Sequence, residues 1–149
     1  MIKIPQTLIG ELVKKKVLDK KTAEDLSRKA LSEDKDFSQI AVEGKMISDL
    51  DLLALKSEIY RLPSVALKEL EIKPDVLKVF SEETAVFYKI VPFDQEEKVL
   101  RVGMLNPEDS DALEALKLVS QDRGFAVERY IIGVNDYLSV LKRYQTRSG

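Results

Sequence analysis

Phe87-Tyr-Lys-Ile-Val-Pro-Phe93, the acidic turn Asp94-Gln-Glu-Glu97 and the run from Val99 through Asn106-Pro-Glu-Asp109 to Val119 decide the fold. Phe87, Lys89, Val91 and Phe93 alternate with Tyr88, Ile90 and Pro92, and beyond the turn Leu100, Val102 and Met104 alternate with Val99, Arg101 and Gly103. Period two places one set on each face of a pleated sheet, so the stretch predicts a half-buried hairpin. Pro92 has no N–H to give a neighbour, which puts its strand at an edge or ends it. Asn106-Pro107 turns the chain, and Asp111 with Glu114 offers a reciprocal cap for a helix. Ala112, Ala115, Leu116 and Val119 then recur at helical spacing and lay that helix on the sheet.

Upstream, residues 8–60 read as four short helices with stripes Leu8/Leu12/Val13, Ala23/Leu26/Ala30, Phe37/Ile40/Ala41 and Leu52/Leu55/Ile59. Asp19 caps the second, Gly44 ends the third, and Ser48 with Asp51 starts the fourth. No stripe is wide enough for an isolated helix, so the four must stabilise one another. Two helical hairpins follow in tandem, a weak repeat that sets Leu12 on Ile40 and Leu8 on Asp36. Leu62-Pro63 closes this part, because the residue before a proline is pushed out of the helical region. Ser64 to Leu67 reads as a short extended piece, Pro74 as the first residue of a helix, and Ser81 as the start of another helical turn. Downstream, Phe125, Val127 and Ile131 suggest a third strand. Val134, Tyr137, Leu138, Leu141 and Tyr144 form the clearest amphipathic stripe, which places Leu138 and Leu141 in the core. The fold class is therefore α+β. An N-terminal bundle of short helices over 1–62 precedes a small, mainly antiparallel three-stranded sheet covered by helices over 63–149.

Composition removes several kinds of chemistry. The 149 residues carry no cysteine and no histidine, so thiolate catalysis and the commonest general base and zinc ligand are missing. Charges are dense, at 34%, but nearly balanced, with a formal net charge of −2, which gives nucleic acid no handle. No apolar run is long enough to span a bilayer, and the N-terminus lacks the apolar core of a signal peptide, so the reading is cytoplasmic with no direct membrane insertion. There is no Gly-x-x-x-x-Gly-Lys loop to cradle a triphosphate. Glu108, Asp109 and Asp111 cluster as a hard cation would want, but helix capping explains them with less, so no metal is expected. Lys14-Lys-Lys16 with Lys20-Lys21 reads as a solvated helix end, and Arg101 as a strand-surface arginine. Arg147-Ser-Gly149 follows the last helical pattern without a stop, which implies a piece of a longer protein.

Several segments together carry a family resemblance. Ser48-Asp-Leu-Asp-Leu-Leu through Tyr60-Arg-Leu-Pro-Ser-Val-Ala-Leu67, Pro74-Asp-Val-Leu, Val91-Pro92, Asn106-Pro-Glu-Asp109 and the terminal Tyr144 follow one another as in the N-terminal domain of the type II secretion and type IV pilus assembly ATPases. The resemblance implies a non-catalytic docking and regulatory domain, not itself an enzyme. It would couple its own downstream ATPase domain to the cytoplasmic part of an inner-membrane assembly protein, peripheral to that membrane. A free-standing protein–protein adaptor is a further alternative.

Some family members bind cyclic di-GMP through two tandem motifs, each beginning Arg-Leu-Gly, continuing Leu-Val-x-x-Gly and ending in a leucine-rich helix. The first would read Thr7-Leu-Ile-Gly-Glu-Leu-Val-Lys-Lys-Lys16, which keeps Leu8 and Leu12 but puts Thr7 for arginine and Ile9 and Lys16 for glycine. The second would begin at Lys35 and end at Gly44, with Asp36 and Phe37 in the Leu-Gly place. The degenerate positions are thus Thr7, Leu8, Leu12, Lys35 and Gly44. No cofactor is expected in this chain, and cyclic di-GMP is disfavoured.

Overall fold

The structure, a computed structural model, describes residues 1–147; Ser148 and Gly149, where the sequence lacks a helix stop, lie outside them. Helices α1 (Gln6–Lys14), α2 (Lys20–Glu33), α3 (Phe37–Glu43) and α4 (Asp49–Tyr60) come first. The Asp19 side chain accepts from the Thr22 N–H at 2.7 Å to cap α2, and Ser48 accepts from the Asp51 N–H at 3.1 Å to cap α4. The stripes meet in one cluster, with Leu8, Leu12, Phe37, Ile40 and Leu52 nearly or wholly without exposed surface.

The helical hairpins do repeat, one residue out of the register given by their apolar patterns. After α1, the N–H groups of Lys15, Lys16 and Val17 bond the carbonyls of Glu11, Val13 and Leu12; after α3, those of Gly44, Lys45 and Met46 bond Ile40, Val42 and Ala41 in the same way. Lys16 and Lys45 both sit in the left-handed region, at φ 61° and 58°. Leu12 therefore falls on Ala41 and Leu8 on Phe37. A comparison of apolar stripes tolerates a slip of one position; cap hydrogen bonds do not.

The chain continues with α5 (Pro74–Leu77), α6 (Glu82–Tyr88), β1 (Ile90–Glu96), β2 (Val99–Met104), α7 (Ser110–Arg123), β3 (Ala126–Ile131) and α8 (Val134–Arg147). The sheet order is β1-β2-β3, antiparallel between β1 and β2 and parallel between β2 and β3. It is mixed, where the sequence reading has it mainly antiparallel. The reason lies in the connection: α7 joins β2 to β3, and a helical crossover returns the chain in the same direction. Pro92 lies on the edge strand, next to an irregularity in the ladder between Pro92 and Asp94. The extended piece after Leu62 lies beside β3, with the Val65 N–H donating to the Ile131 carbonyl at 3.1 Å.

Two local readings change. Phe87 and Tyr88 close helix α6 and do not open β1. Ser81 caps α6 by accepting from the Thr84 N–H, and Lys89 turns out of the helix at φ 58°. A few alternating residues at an element boundary fit either period. The cap of α7 is Asp109, which accepts from the N–H groups of Asp111 and Ala112 at 2.9 and 3.2 Å, so Asp111 belongs to the first turn.

Leu100, Val102 and Met104 are fully buried in the same cluster as the inward face of α8, Val134, Tyr137, Val140 and Tyr144. Leu138 and Leu141 flank that core half-buried. Gly103 faces Ile132 so closely that a Cβ would overlap the isoleucine side chain.

Candidate functional site

Helix α1 begins after Pro5, which provides no side-chain cap. Its cap comes from the far end of the chain. Glu108 accepts from the N–H groups of Thr7 at 2.9 Å and Leu8 at 3.0 Å, and the Tyr60 hydroxyl donates to the same carboxylate. Asn106 fixes this arrangement: its amide donates to the Lys3 carbonyl at 3.0 Å, and its Oδ1 accepts from the Glu108 N–H at 2.9 Å. The reverse also holds. Asp49, in the first turn of α4, accepts from the N–H groups of Val134 and Asn135 at 2.8 and 2.9 Å and caps α8. Gly133 leaves room for this, since a Cβ there would stand 3.1 Å from the Asp49 carboxylate.

Between these caps, Lys56 is buried and donates from Nζ to the Leu105 carbonyl at 2.7 Å. Burial pulls its pKa down, while the charges of Asp36 and Asp49 oppose the shift. Burial first, and then the bond to Glu108, hold the Tyr60 phenol well above its ordinary range.

The carboxylates after β2 thus have separate tasks: Glu108 on α1, Asp109 on α7, and Asp111 paired with Lys3 at 3.4 Å. Among the described residues no group of three such side chains is arranged to hold a metal ion. Arg101 is engaged within its own sheet, by Asp94 at 2.6 Å, Glu128 at 3.0 Å and Glu96 at 3.5 Å. Lys14 to Lys16 and Lys20-Lys21 are exposed.

The nucleotide-motif positions differ in their surroundings. Thr7 is exposed, with its N–H held by Glu108; Leu8 and Leu12 are fully buried and pack helices. Lys35 pairs with Glu43 at 3.3 Å and Glu33 at 3.8 Å, and Gly44 ends α3 at φ −78°. The structural repeat sets Asp36, Phe37 and Lys45 against Thr7, Leu8 and Lys16, so Lys35 and Gly44 each fall one residue off. The arginine place then holds Asp36, a buried residue that caps α3 by accepting from the Ser38 N–H at 2.9 Å. The motif's final glycine falls on Lys16 and Lys45, both of which are left-handed, a conformation that favours glycine. A helix N-terminus suits an anion, but that of α1 already holds one from within. Sequence reasoning missed Glu108 and Asp49 as caps. The one available signal was the lack of any capping residue at Pro5 and Gly133.

The MshEN domain family matches residues 60–144. The type IV pilus assembly ATPase PilB of Myxococcus xanthus is 25% identical over 103 residues, which is 69% of this chain and 18% of that protein. PilB of Thermus thermophilus is 28% identical over 115 residues, 76% of this chain and 13% of that protein. The chain thus spans less than a fifth of the length of these relatives. Among solved structures, MshE with cdg aligns with a TM-score of 0.65 at 20% identity, covering 92% of this chain and 97% of the other. The N-terminal domain of XpsE aligns with a TM-score of 0.68 at 17% identity, covering 95% and 96%. The shared fold therefore extends beyond residues 60–144 to the N-terminal helices.

Proposed function

The chain belongs to the MshEN domain family, and from that premise we propose that it is the non-catalytic N-terminal docking and regulatory domain of a secretion or pilus assembly ATPase. It couples a downstream motor to the cytoplasmic part of an inner-membrane assembly protein and is held at that membrane through this partner. The observation that carries this reading is the pair of pilus assembly ATPases that match most of this chain over less than a fifth of their own length. The sequence has no phosphate loop, so ATP hydrolysis is assigned to the motor. Among the described residues no helix is long and apolar enough to cross a membrane. The test is a pull-down of the chain against the cytoplasmic segments of the inner-membrane assembly proteins. Saturable capture of one segment is expected; capture of none overturns the docking role.

The likeness to MshE with cdg favours a second reading, a cyclic di-GMP receptor controlling the same motor. We infer weak or no binding. Thr7 and Asp36 stand where an arginine fork would bond phosphate or a guanine edge, and Asp36 adds a negative charge. Ile9, Lys16, Ser38 and Lys45 stand where glycines would let a ligand approach. Losing a charged hydrogen-bonding partner costs about 1.5–3 kcal/mol, so two such losses weaken binding by about two orders of magnitude or more. Calorimetric titration at low salt should give little or no heat; a submicromolar dissociation constant would put the receptor reading first.

A further inference from the structure

A cleft of about 670 Å³ opens beside α6. Its apolar lining includes Met1, Val86 and Phe87, which are 84%, 42% and 57% exposed. Phe87 stands edge-on to Tyr88, with ring centroids 4.8 Å apart, so the exposed ring is held in place by its neighbour. An apolar surface gathered in a concavity marks a binding surface more often than scattered single residues do.

The rim is acidic: Asp34, Glu82 and Glu83. Glu82 and Glu83 lie in the first turn of α6, where a helix N-terminus favours them. Asp34 is there by its backbone, in a conformation that aspartate tolerates. It is the left-handed C-cap of α2, at φ 54°, where the helix dipole disfavours a negative charge. Among the described residues no ion pair holds any of the three. The lysine in the lining, Lys89, is half-buried and donates from Nζ to the Val86 carbonyl at 2.8 Å at the end of α6, so the rim carries three carboxylates against this one side-chain cation.

We propose that this cleft docks a lysine- and arginine-flanked apolar segment of the membrane partner's cytoplasmic part, next to the point where that part leaves the bilayer. The inference rests on the docking role proposed above and adds its surface and chemistry. Cytoplasmic segments beside membrane spans are enriched in lysine and arginine, which complement this rim, while an apolar side chain between them fills the cleft against Phe87. The same rim repels anionic headgroups, so the occupant is protein and not lipid.

The experiment is an NMR titration of the isotope-labelled chain with a synthetic peptide that has a Leu-Leu-Phe core flanked by lysines, and with its glutamate-flanked twin. The lysine peptide is expected to shift the amides of residues 82–89 and Asp34, and the twin to leave them in place. Glu82→Lys with Glu83→Lys, and separately Phe87→Ser, should weaken the lysine peptide by about tenfold or more; Glu83 and Phe87 are exposed and Glu82 is half-buried, and thermal melts check that each variant is folded. Equal response to both peptides, shifts confined to other surfaces, or shifts of residues 82–89 on adding phosphatidylglycerol vesicles would overturn the proposal. So would line broadening that grows with protein concentration alone, which would assign the cleft to a second copy. If the pull-down partner is captured equally by wild type and both variants, the docking role stands and this cleft is not its surface.

Discussion

Lys16 and Lys45 hold backbone angles that glycine would hold with less strain. A left-handed residue with a side chain costs about 1–2 kcal/mol, and a glycine costs about 0.5–1 kcal/mol in chain entropy. Lys16→Gly and Lys45→Gly are therefore each expected to stabilise the fold, by up to about 1 kcal/mol, read as a higher urea midpoint. Gly103 behaves in the opposite way. Gly103→Ala drives a methyl group into Ile132 and is expected to cost about 1–3 kcal/mol by the same measurement. Tyr60, Tyr137 and Tyr144 all have phenols raised from the ordinary 10.0, chiefly by burial. A raised folded-state pKa contributes stability that is fully present below the unfolded value and lost as pH rises beyond it, because the unfolded chain releases these protons first. Urea midpoints should hold up to about pH 10 and fall above it. A flat profile there would mean that these phenols are open to water.

At the scale of the element, what could be read from sequence depended on how far a cap reaches. Asp19 and Ser48 bond an N–H three residues on, and both were legible. Glu108 reaches back 101 residues and Asp49 forward 85, and no local pattern announces either. Glu108→Ala removes a charged acceptor from α1 and is expected to cost about 1.5–3 kcal/mol, with faster hydrogen exchange at Thr7 and Leu8. Asp49→Ala uncaps α8 and should cost about 0.5–2 kcal/mol, with faster exchange at Val134 and Asn135. The inner face of α8 was legible in Val134, Tyr137 and Tyr144, but the stripe favoured Leu141 where the structure buries Val140. Size and hydrophobicity drew the reading to leucine; a modest rotation of the helix about its axis decided otherwise. The misplaced start of β1 had a similar cause, since Phe87 looks like core and is 57% exposed.

For the whole molecule, the edge position of β1 followed from Pro92, but the sequence reading gave no strand order and took the sheet as mainly antiparallel, where the helical crossover makes β3 parallel to β2. One apolar cluster draws on Leu8 to Leu52 and the other on Leu67 to Tyr144, with Val42 against both. The candidate site was least legible, because its nucleotide positions depend on a register that apolar stripes leave open by one residue. Reciprocal capping, with Lys56 between the caps, couples the two clusters. Calorimetry is expected to show one cooperative transition in the wild type, and two in the chain carrying both Glu108→Ala and Asp49→Ala, the N-terminal helices melting first. A single transition in that double variant would assign the coupling to Lys56 and its neighbours.

The long reach of Glu108 also sets an order in time. Thr7 leaves the ribosome 101 residues ahead of the carboxylate that caps its helix, an interval of roughly 5–20 s at ordinary rates of synthesis. Asp49, by contrast, is already made when Val134 emerges. Helix α1 therefore waits longest for its cap, and until Glu108 emerges the nascent chain carries it with bare amides.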